Sequence, residues 1–273
     1  MSKQIKTYGV IRHPLEVAIT ILLAVLLPGC HDDDTPLAPE PVGEEWIDAA
    51  FAAKLQELGL IEDALSVTPS MVADITELNI SESNLSSLRG IEWFKSLEKF
   101  DCERNNLTTL CIDGLKSLRY MACPYNRQLT TLSAKGCVAL DYLDFANCNV
   151  SEIDIADCTG LTELGCGNNE LESIDVTGFS NLERLYCYGN YLETIDLSGC
   201  PQLQQLISFD NLLEGLDITV NRKLTMLYTM INPGHDGKFI IRAWFGNDDV
   251  PDNFSSGSWT YEDKVTVEYI KAV

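Results

Sequence analysis

The histidines of this chain give catalysis little support. The sequence contains three histidines. His13 lies in an N-terminal segment that we expect to be removed, and His31 follows that segment closely. Only His235 is left as a base for a Cys-His or Ser-His-Asp arrangement. Because the Walker loop and the G-x-S-x-G and H-E-x-x-H motifs are also absent, we expect no enzymatic activity, no catalytic residue and no cofactor.

The cysteines are the second candidate for chemistry. There are ten, and most recur at a spacing of about 21 residues. One column contains Cys102, Cys123, Cys166 and Cys187, and another contains Cys137, Cys158 and Cys200. No C-x-x-C pair accompanies them, which argues against zinc. Bulky apolar residues occupy the same columns elsewhere, so we expect free thiols that behave as small core hydrophobes.

A third pattern is a column of aspartates, formed by Asp154, Asp175, Asp196 and Asp217. Stacked carboxylates suggest calcium, but the glycine-rich spacing of a calcium loop is missing. An aspartate in a turn also bonds backbone amides nearby. We therefore expect turn chemistry here and assign no metal site.

The elements that must position these residues follow a strict repeat. Residues 161–181 and 182–202 align without a gap over 21 positions, with leucine, cysteine, asparagine and isoleucine matching. A fixed period of this size predicts a solenoid, in which each repeat buries its apolar face against the next. The same frame extends from Ile75 to Asn232 and gives eight repeats.

The pattern L-x-x-L-x-C-x-x-N-x-L resembles the leucine-rich repeat family. The resemblance implies a repeat solenoid of α/β type, with a parallel β-sheet on the concave side. A repeat of 21 residues leaves little room for helix on the convex side. The asparagine column is expected where the chain leaves each strand, with buried amides that bond the backbone. Residues 75–234 form these repeats.

The first 29 residues predict a signal peptide, because a basic start precedes an 11-residue apolar core, Val17–Leu27. Its end, Leu27-Pro28-Gly29-Cys30, resembles the lipobox of bacterial lipoproteins, which implies cleavage and lipidation at Cys30. His31–Asp34 resembles an acidic surface-export signal, and residues 30–43 read as a proline-rich tether. These resemblances imply a surface-exposed lipoprotein of the bacterial outer membrane. An ordinary secretory signal and a merely solvated acidic tether remain open.

Both ends of the solenoid need a cover. Residues 44–74 predict a helical N-terminal cap, with one amphipathic helix in Glu44–Gly59 and a second opening at Thr68-Pro69. Residues 235–273 predict a C-terminal β cap. Its strands, Phe239–Phe245 and Lys264–Ile270, are expected to form a hairpin.

The charge restricts the partners. The formal net charge is −22. Removing the signal peptide takes 3 of 19 basic and 1 of 41 acidic residues, leaving 16 and 40, or −24. Such a protein should bind neither nucleic acid nor an anionic bilayer through its own charge. Only the N-terminal lipid is expected to contact the membrane, and we expect a monomer.

The outward positions of the concave strands are the informative ones. They are charged in the first repeats and aromatic or apolar in the last, although the repeat requires no large apolar residue there. Exposed patches of this composition mark binding surfaces. The candidates are Tyr120, Tyr142, Arg184, Tyr186, Tyr188, Phe209, Tyr228 and Met230. For Ile207, Phe209, Tyr228 and Met230, burial beneath the C-terminal segment is an equal alternative.

The sequence therefore predicts a lipid-anchored leucine-rich repeat protein that binds another macromolecule, a protein, through its concave face. One alternative is a glycan-binding accessory lipoprotein of a nutrient-uptake system, because tyrosines also stack on sugars. The other is a structural envelope protein without a specific ligand.

Overall fold

A computed structural model describes residues 47–236, 238–246, 250–252, 254–256 and 266–271. The signal peptide, the lipobox with Cys30 and the tether lie outside these residues. In the described part, the helices are α1 (Ala49–Glu57), α2 (Pro69–Val72) and a 3₁₀ turn (Ile91–Trp93). The strands are β1 (Glu77–Asn79), β2 (Lys99–Asp101), β3 (Thr109–Cys111), β4 (Tyr120–Ala122), β5 (Thr131–Ser133), β6 (Tyr142–Asp144), β7 (Glu152–Asp154), β8 (Glu163–Gly165), β9 (Arg184–Tyr186), β10 (Gln205–Ile207), β11 (Gly215–Asp217), β12 (Met226–Tyr228), β13 (Lys238–Ala243), β14 (Ser255–Ser256) and β15 (Thr266–Lys271).

One parallel sheet runs the length of the solenoid. Its nine strands lie in the order β1-β2-β4-β6-β8-β9-β10-β12-β14. Equivalent positions of successive repeats are paired, as where Leu164 lies between Leu143 and Leu185. These leucines are fully buried, because alternate residues of a strand point to opposite faces. The register predicted from the sequence is confirmed.

The asparagine column ties each turn to its neighbours. The amide nitrogen of Asn190 donates to the carbonyl of Cys187, at 3.1 Å, and to that of Cys166 in the preceding turn, at 3.0 Å. Its oxygen accepts from the backbone N–H of Leu171, at 3.0 Å. Asn126, Asn169, Asn211 and Asn232 repeat this arrangement. The amides therefore satisfy buried backbone groups where the ladder ends.

A left-handed residue precedes each position of the asparagine column. The φ angles in this column lie between 52° and 63° in all eight repeats. The residues are Glu82, Arg104, Tyr125, Asn147, Asn168, Gly189, Asp210 and Ile231. Ile231 is the costly member, because a β-branched side chain is rarely found in this region. The turn itself, rather than the residue type, imposes the conformation.

The convex side is built from extended chain. A short parallel sheet, β3-β5-β7, covers the first repeats, and a second one, β11-β13-β15, covers the last. Between them no strand forms, but Ile174 and Ile195 are still buried. After α2, the described residues contain no α-helix, as a repeat of 21 residues predicts.

The two predicted N-terminal helices are present. Helix α1 begins after Asp48, whose carboxylate accepts from the N–H groups of Ala50 and Phe51 at 2.9 and 3.0 Å. It is therefore shorter than the predicted segment. Phe51 is fully buried and stacks on Phe94, with ring centroids 5.9 Å apart. This contact covers the first turn of the solenoid.

The predicted C-terminal hairpin is wrong. Strand β13 pairs with β15 in parallel, and it pairs in parallel with β11 on its other side. Strand β14 lies between them in the chain and joins the concave sheet beside β12. The solenoid therefore continues beyond Asn232. Residue 255 pairs with residue 226, 29 positions earlier, whereas residue 226 pairs with residue 205, only 21 earlier. This longer turn no longer matches the repeat template.

Candidate functional site

The concave sheet carries its outward side chains in columns. Strand pairing aligns Tyr120, Tyr142, Glu163, Arg184 and Gln205 in one column. The rings of Tyr120 and Tyr142 stack, with centroids 4.4 Å apart and planes 6° apart. Both rings are half-buried, and burial raises the pKa of each phenol. These two candidates therefore form one aromatic surface, as their positions predict.

The second column is interrupted by a glycine. Gly165 lies between Asp144 and Tyr186 in the pairing of β6, β8 and β9. A Cβ atom at Gly165 would lie 2.8 Å from Oδ1 of Asp144, which leaves no room for a side chain. The missing side chain opens a depression in the centre of the concave face.

A second glycine, Gly167, lies beneath the ring of Tyr188. A Cβ atom at Gly167 would lie 2.5 Å from the ring of Tyr188. That ring also stacks on Phe209, with centroids 4.9 Å and planes 15° apart. Tyr188 is therefore held against the backbone of the preceding repeat on one side and against an aromatic ring on the other.

These features enclose one site, which we call the concave pocket. Its volume is about 290 Å³, close to the lower end of the range for ligand pockets, about 300–1,000 Å³. It is lined by Tyr142, Asp144, Ala146, Glu163, Gly165, Tyr186, Tyr188 and Ile207. The wall is mostly aromatic and apolar, with two carboxylates.

Asp144 is the most perturbed acid of the pocket. Its Oδ1 accepts from the N–H of Ala146 at 2.9 Å, a bond that lowers its pKa. Burial outweighs this bond and raises the pKa of Asp144, and the charges of Glu163 and Glu103 raise it further. Among the described residues, no basic side chain pairs with this carboxylate. It is therefore a desolvated acid without a counter-charge.

In contrast to Asp144, Arg184 already has its charge paired within the chain. Its Nε lies 2.5 Å from Oε2 of Glu163, and one terminal nitrogen lies 3.5 Å from Glu183. As a positive group on an acidic protein, Arg184 is a candidate to pair with an acidic group of a partner. Such a group would have to compete with two carboxylates of the same chain.

Tyr186 lines the pocket, and the remaining candidates flank it. Tyr186 donates from its hydroxyl to Oε1 of Gln205 at 2.8 Å, which orients its ring. Phe209, Tyr228 and Met230 are half-buried, and none of them lines the concave pocket. Strand β14 extends the sheet beside β12. The described C-terminal residues thus leave these side chains partly accessible.

Sequence reasoning missed four residues of the pocket: Asp144, Ala146, Glu163 and Gly165. They occupy outward positions that the repeat identifies, but the candidates chosen there were aromatic residues, Arg184 and Met230. The signal was present in the two consecutive outward glycines of one repeat. An outward glycine between large neighbours indicates a depression, because the neighbouring side chains can lean over it.

The aspartate column performs turn chemistry, as expected. Asp175 accepts from the backbone N–H of Thr177 at 3.0 Å and from its hydroxyl at 2.7 Å. These bonds lower the pKa of Asp175, and the same type of contact with Ser198 lowers that of Asp196. The carboxylates are exposed and bond within their own turns.

Eight cysteines among the described residues are free and buried. The second cysteine column does more than fill space. The thiol of Cys137 donates to the carbonyl of Ile112 at 3.1 Å, and Cys200 donates to Val176 at 3.2 Å. Burial raises the pKa of both thiols to about 11. Asn221 continues this column and donates to Leu197 at 3.1 Å. These donors satisfy carbonyl groups of the preceding turn.

Comparison with known proteins identifies the fold. The chain is 24% identical to the functional domain of InlJ from Listeria monocytogenes, which is described as including a cysteine ladder. The alignment covers 74% of this chain and 55% of that one, with a TM-score of 0.50. It is 23% identical to YopM, a leucine-rich effector protein from Yersinia pestis. That alignment covers 57% of this chain and 49% of that one, with a TM-score of 0.50. The chain thus spans about half the length of each.

No family model and no curated protein matches the sequence. The fold is nevertheless a leucine-rich repeat solenoid, with a parallel concave sheet and little helix, as the sequence resemblance implies. Among the described residues, no helix is long and apolar enough to cross a bilayer.

Proposed function

We propose that this chain is a non-enzymatic surface protein that binds another protein through its concave face, and that a lipid on Cys30 anchors it to the bacterial outer membrane. The observation that carries the binding proposal is the concave pocket with its flanking ring stacks. The repeat needs only the inward residues of each strand, so the aromatic residues facing outward are not required by the fold. Tyr and Arg are also enriched at the cores of protein interfaces.

The energy of such an interface concentrates in a few central residues. Tyr186 and Tyr188 are the best candidates, because they lie two residues apart and line the pocket together. Tyr120 and Tyr142 extend this surface towards the N-terminus. A partner that covers both stacks would bury the rings against apolar surface while their hydroxyls remain able to form hydrogen bonds.

Replacing Tyr186 and Tyr188 together by serine tests the proposal. We expect the melting temperature to stay nearly unchanged and partner binding to weaken by at least about 2 kcal/mol. Tyr191→Ser is the matched control, because Tyr191 is 52% exposed and lies outside the concave strands. Binding would be measured against surface proteins in a pull-down and against a glycan array.

The outcomes separate the alternatives. Loss of a protein partner in the double variant, with retention in the control, supports the proposal. Loss of binding to a glycan would instead favour the accessory lipoprotein of a nutrient-uptake system, because a tyrosine ring can stack on a sugar. If neither array nor pull-down yields a ligand that depends on these tyrosines, the concave face is not the interface, and a purely structural role gains support.

A further inference from the structure

The concave pocket combines two features that bear on its ligand. The first is its wall, in which the aromatic side chains of Tyr142, Tyr186 and Tyr188 line the pocket together with Gly165. The faces of aromatic rings carry negative electrostatic potential and attract cations within about 6 Å of the ring centroid. Such a wall therefore suits a positively charged group with an apolar stem.

The second feature is an imbalance of charge. Asp144 and Glu163 line the pocket, and Glu183 lies beside it through its contact with Arg184. The guanidinium of Arg184 is bound to two of these carboxylates, Glu163 and Glu183. Asp144 thus has no counter-ion among the described residues. Its Oδ2 accepts no hydrogen bond there either, since the bond to Ala146 uses Oδ1.

We propose that the concave pocket binds the cationic side chain, lysine or arginine, of a protein partner. The inference rests on the proposed function and names the chemistry of the contact. The apolar stem of the side chain lies over Gly165, between the tyrosine rings, and its charged end reaches Asp144. The tyrosine rings surround the stem and exclude water, which strengthens the interaction between the two charges.

The charge of the whole molecule favours this ligand over a neutral sugar. A net charge of −22 attracts cations over long range and repels anions. A sugar hydroxyl can donate to Asp144, but it leaves the negative charge of the desolvated carboxylate uncompensated. A lysine or arginine side chain provides both the hydrogen-bond donor and the counter-charge.

The test uses the amide resonances of Gly165 and Gly167 in the isotope-labelled protein. The probes are the capped tripeptide Gly-Lys-Gly, the same peptide with norleucine in place of lysine, and maltotriose. We expect the lysine peptide to shift both glycine signals in a saturable way at millimolar concentration. The norleucine peptide has the same apolar stem without the charge and should shift them little.

Two variants test whether peptide binding requires a carboxylate at this particular position of the column. Asp144→Asn should weaken binding of the lysine peptide at least about tenfold, because it removes the charge and keeps the oxygen that bonds Ala146. Asp101→Asn is the matched control. Asp101 lies two strands away in the same column and accepts from Glu103 at 3.0 Å in the same way, but it does not line the pocket. The control should bind normally.

Raised ionic strength gives a measurement that needs no variant. Added salt should weaken binding of the lysine peptide to the unaltered protein, because it screens charges. Shifts caused by maltotriose and not by the lysine peptide would overturn the inference in favour of a glycan. If no probe shifts the glycine signals, the cation site is refuted, while the protein-binding proposal still depends on its own test with Tyr186 and Tyr188.

Discussion

The ring of Tyr188 occupies the space where a side chain of residue 167 would begin. A Cβ atom built on Gly167 lies 2.5 Å from Cε1 and Cζ of that ring. The two residues belong to successive repeats, 21 positions apart. A single methyl group can therefore move the aromatic wall of the concave pocket without touching the core of the solenoid.

Gly167→Ala should displace Tyr188 and impair binding at the pocket while leaving the fold intact. The atoms in conflict belong to the end of a side chain, which can swing outward, so we expect stability to change by less than about 0.5 kcal/mol. Gly178→Ala is the control, because a Cβ atom there meets nothing within 4 Å. A large loss of stability for Gly167→Ala alone would mean that Tyr188 cannot move.

Asp144→Asn should make the protein more stable at neutral pH. Burial and the neighbouring acids Glu163 and Glu103 raise the pKa of Asp144, so the folded state disfavours its charged form. The cost is present above the raised pKa and disappears as the pH falls below the ordinary pKa of aspartate. The stability difference between variant and parent should therefore vanish in acid. Denaturant midpoints across pH, with Asp101→Asn for comparison, would test this; an unchanged midpoint at neutral pH contradicts it.

Asn190→Ala should destabilise the solenoid by about 1–3 kcal/mol, because it leaves buried backbone groups of two turns without partners. The affected groups include the N–H of Leu171 and the carbonyl of Cys166. Chemical denaturation gives the free energy of unfolding. Asn149→Ala, at an exposed position, is the control and should change stability little. Equal effects at both positions would refute the structural role of the asparagine column.

Ser208→Cys should stabilise the protein by about 1 kcal/mol. Ser208 is fully buried in the column that contains Cys166 and Cys187, and its hydroxyl has no hydrogen-bond partner among the described residues. Cysteine is nearly the same size and less costly to bury. Ser208→Ala removes the hydroxyl without filling its volume and so separates the two effects. If both variants unfold more readily than the parent, the hydroxyl has a partner.

Cys30→Ala should abolish lipidation and release the protein from membranes. One acyl chain binds a bilayer only marginally, whereas several together anchor stably. Partitioning into detergent, followed by immunoblotting of membrane and soluble fractions, gives the readout. Cys200→Ala is a suitable control, because that cysteine is a buried free thiol of the solenoid. A Cys30→Ala variant that still partitions with membranes would rule out the lipobox.

The sequence by itself determined the solenoid, its register and its inward residues. The buried positions of Leu185 and Asn190 could be assigned because leucine and asparagine recur there with a fixed period. A fixed period indicates a local environment that every repeat shares. The expected buried leucines and amide bonds are found. The N-terminal cap could also be predicted from local signals, since the amphipathic spacing lies within helix α1 and Pro69 opens helix α2.

Only the tertiary structure shows which neighbours are contacted by residues that do not follow the 21-residue period. The C-terminal strands have the composition of strands, but composition does not say which neighbour a strand pairs with, and β13 pairs in parallel with β11 and β15. The concave pocket arises in the same way. Gly165 lines the pocket, and Gly167 seats the ring of Tyr188, only because the register places Asp144 and Tyr188 beside them. Such a site depends on side chains about 21 residues apart, and their packing cannot be read from any single repeat.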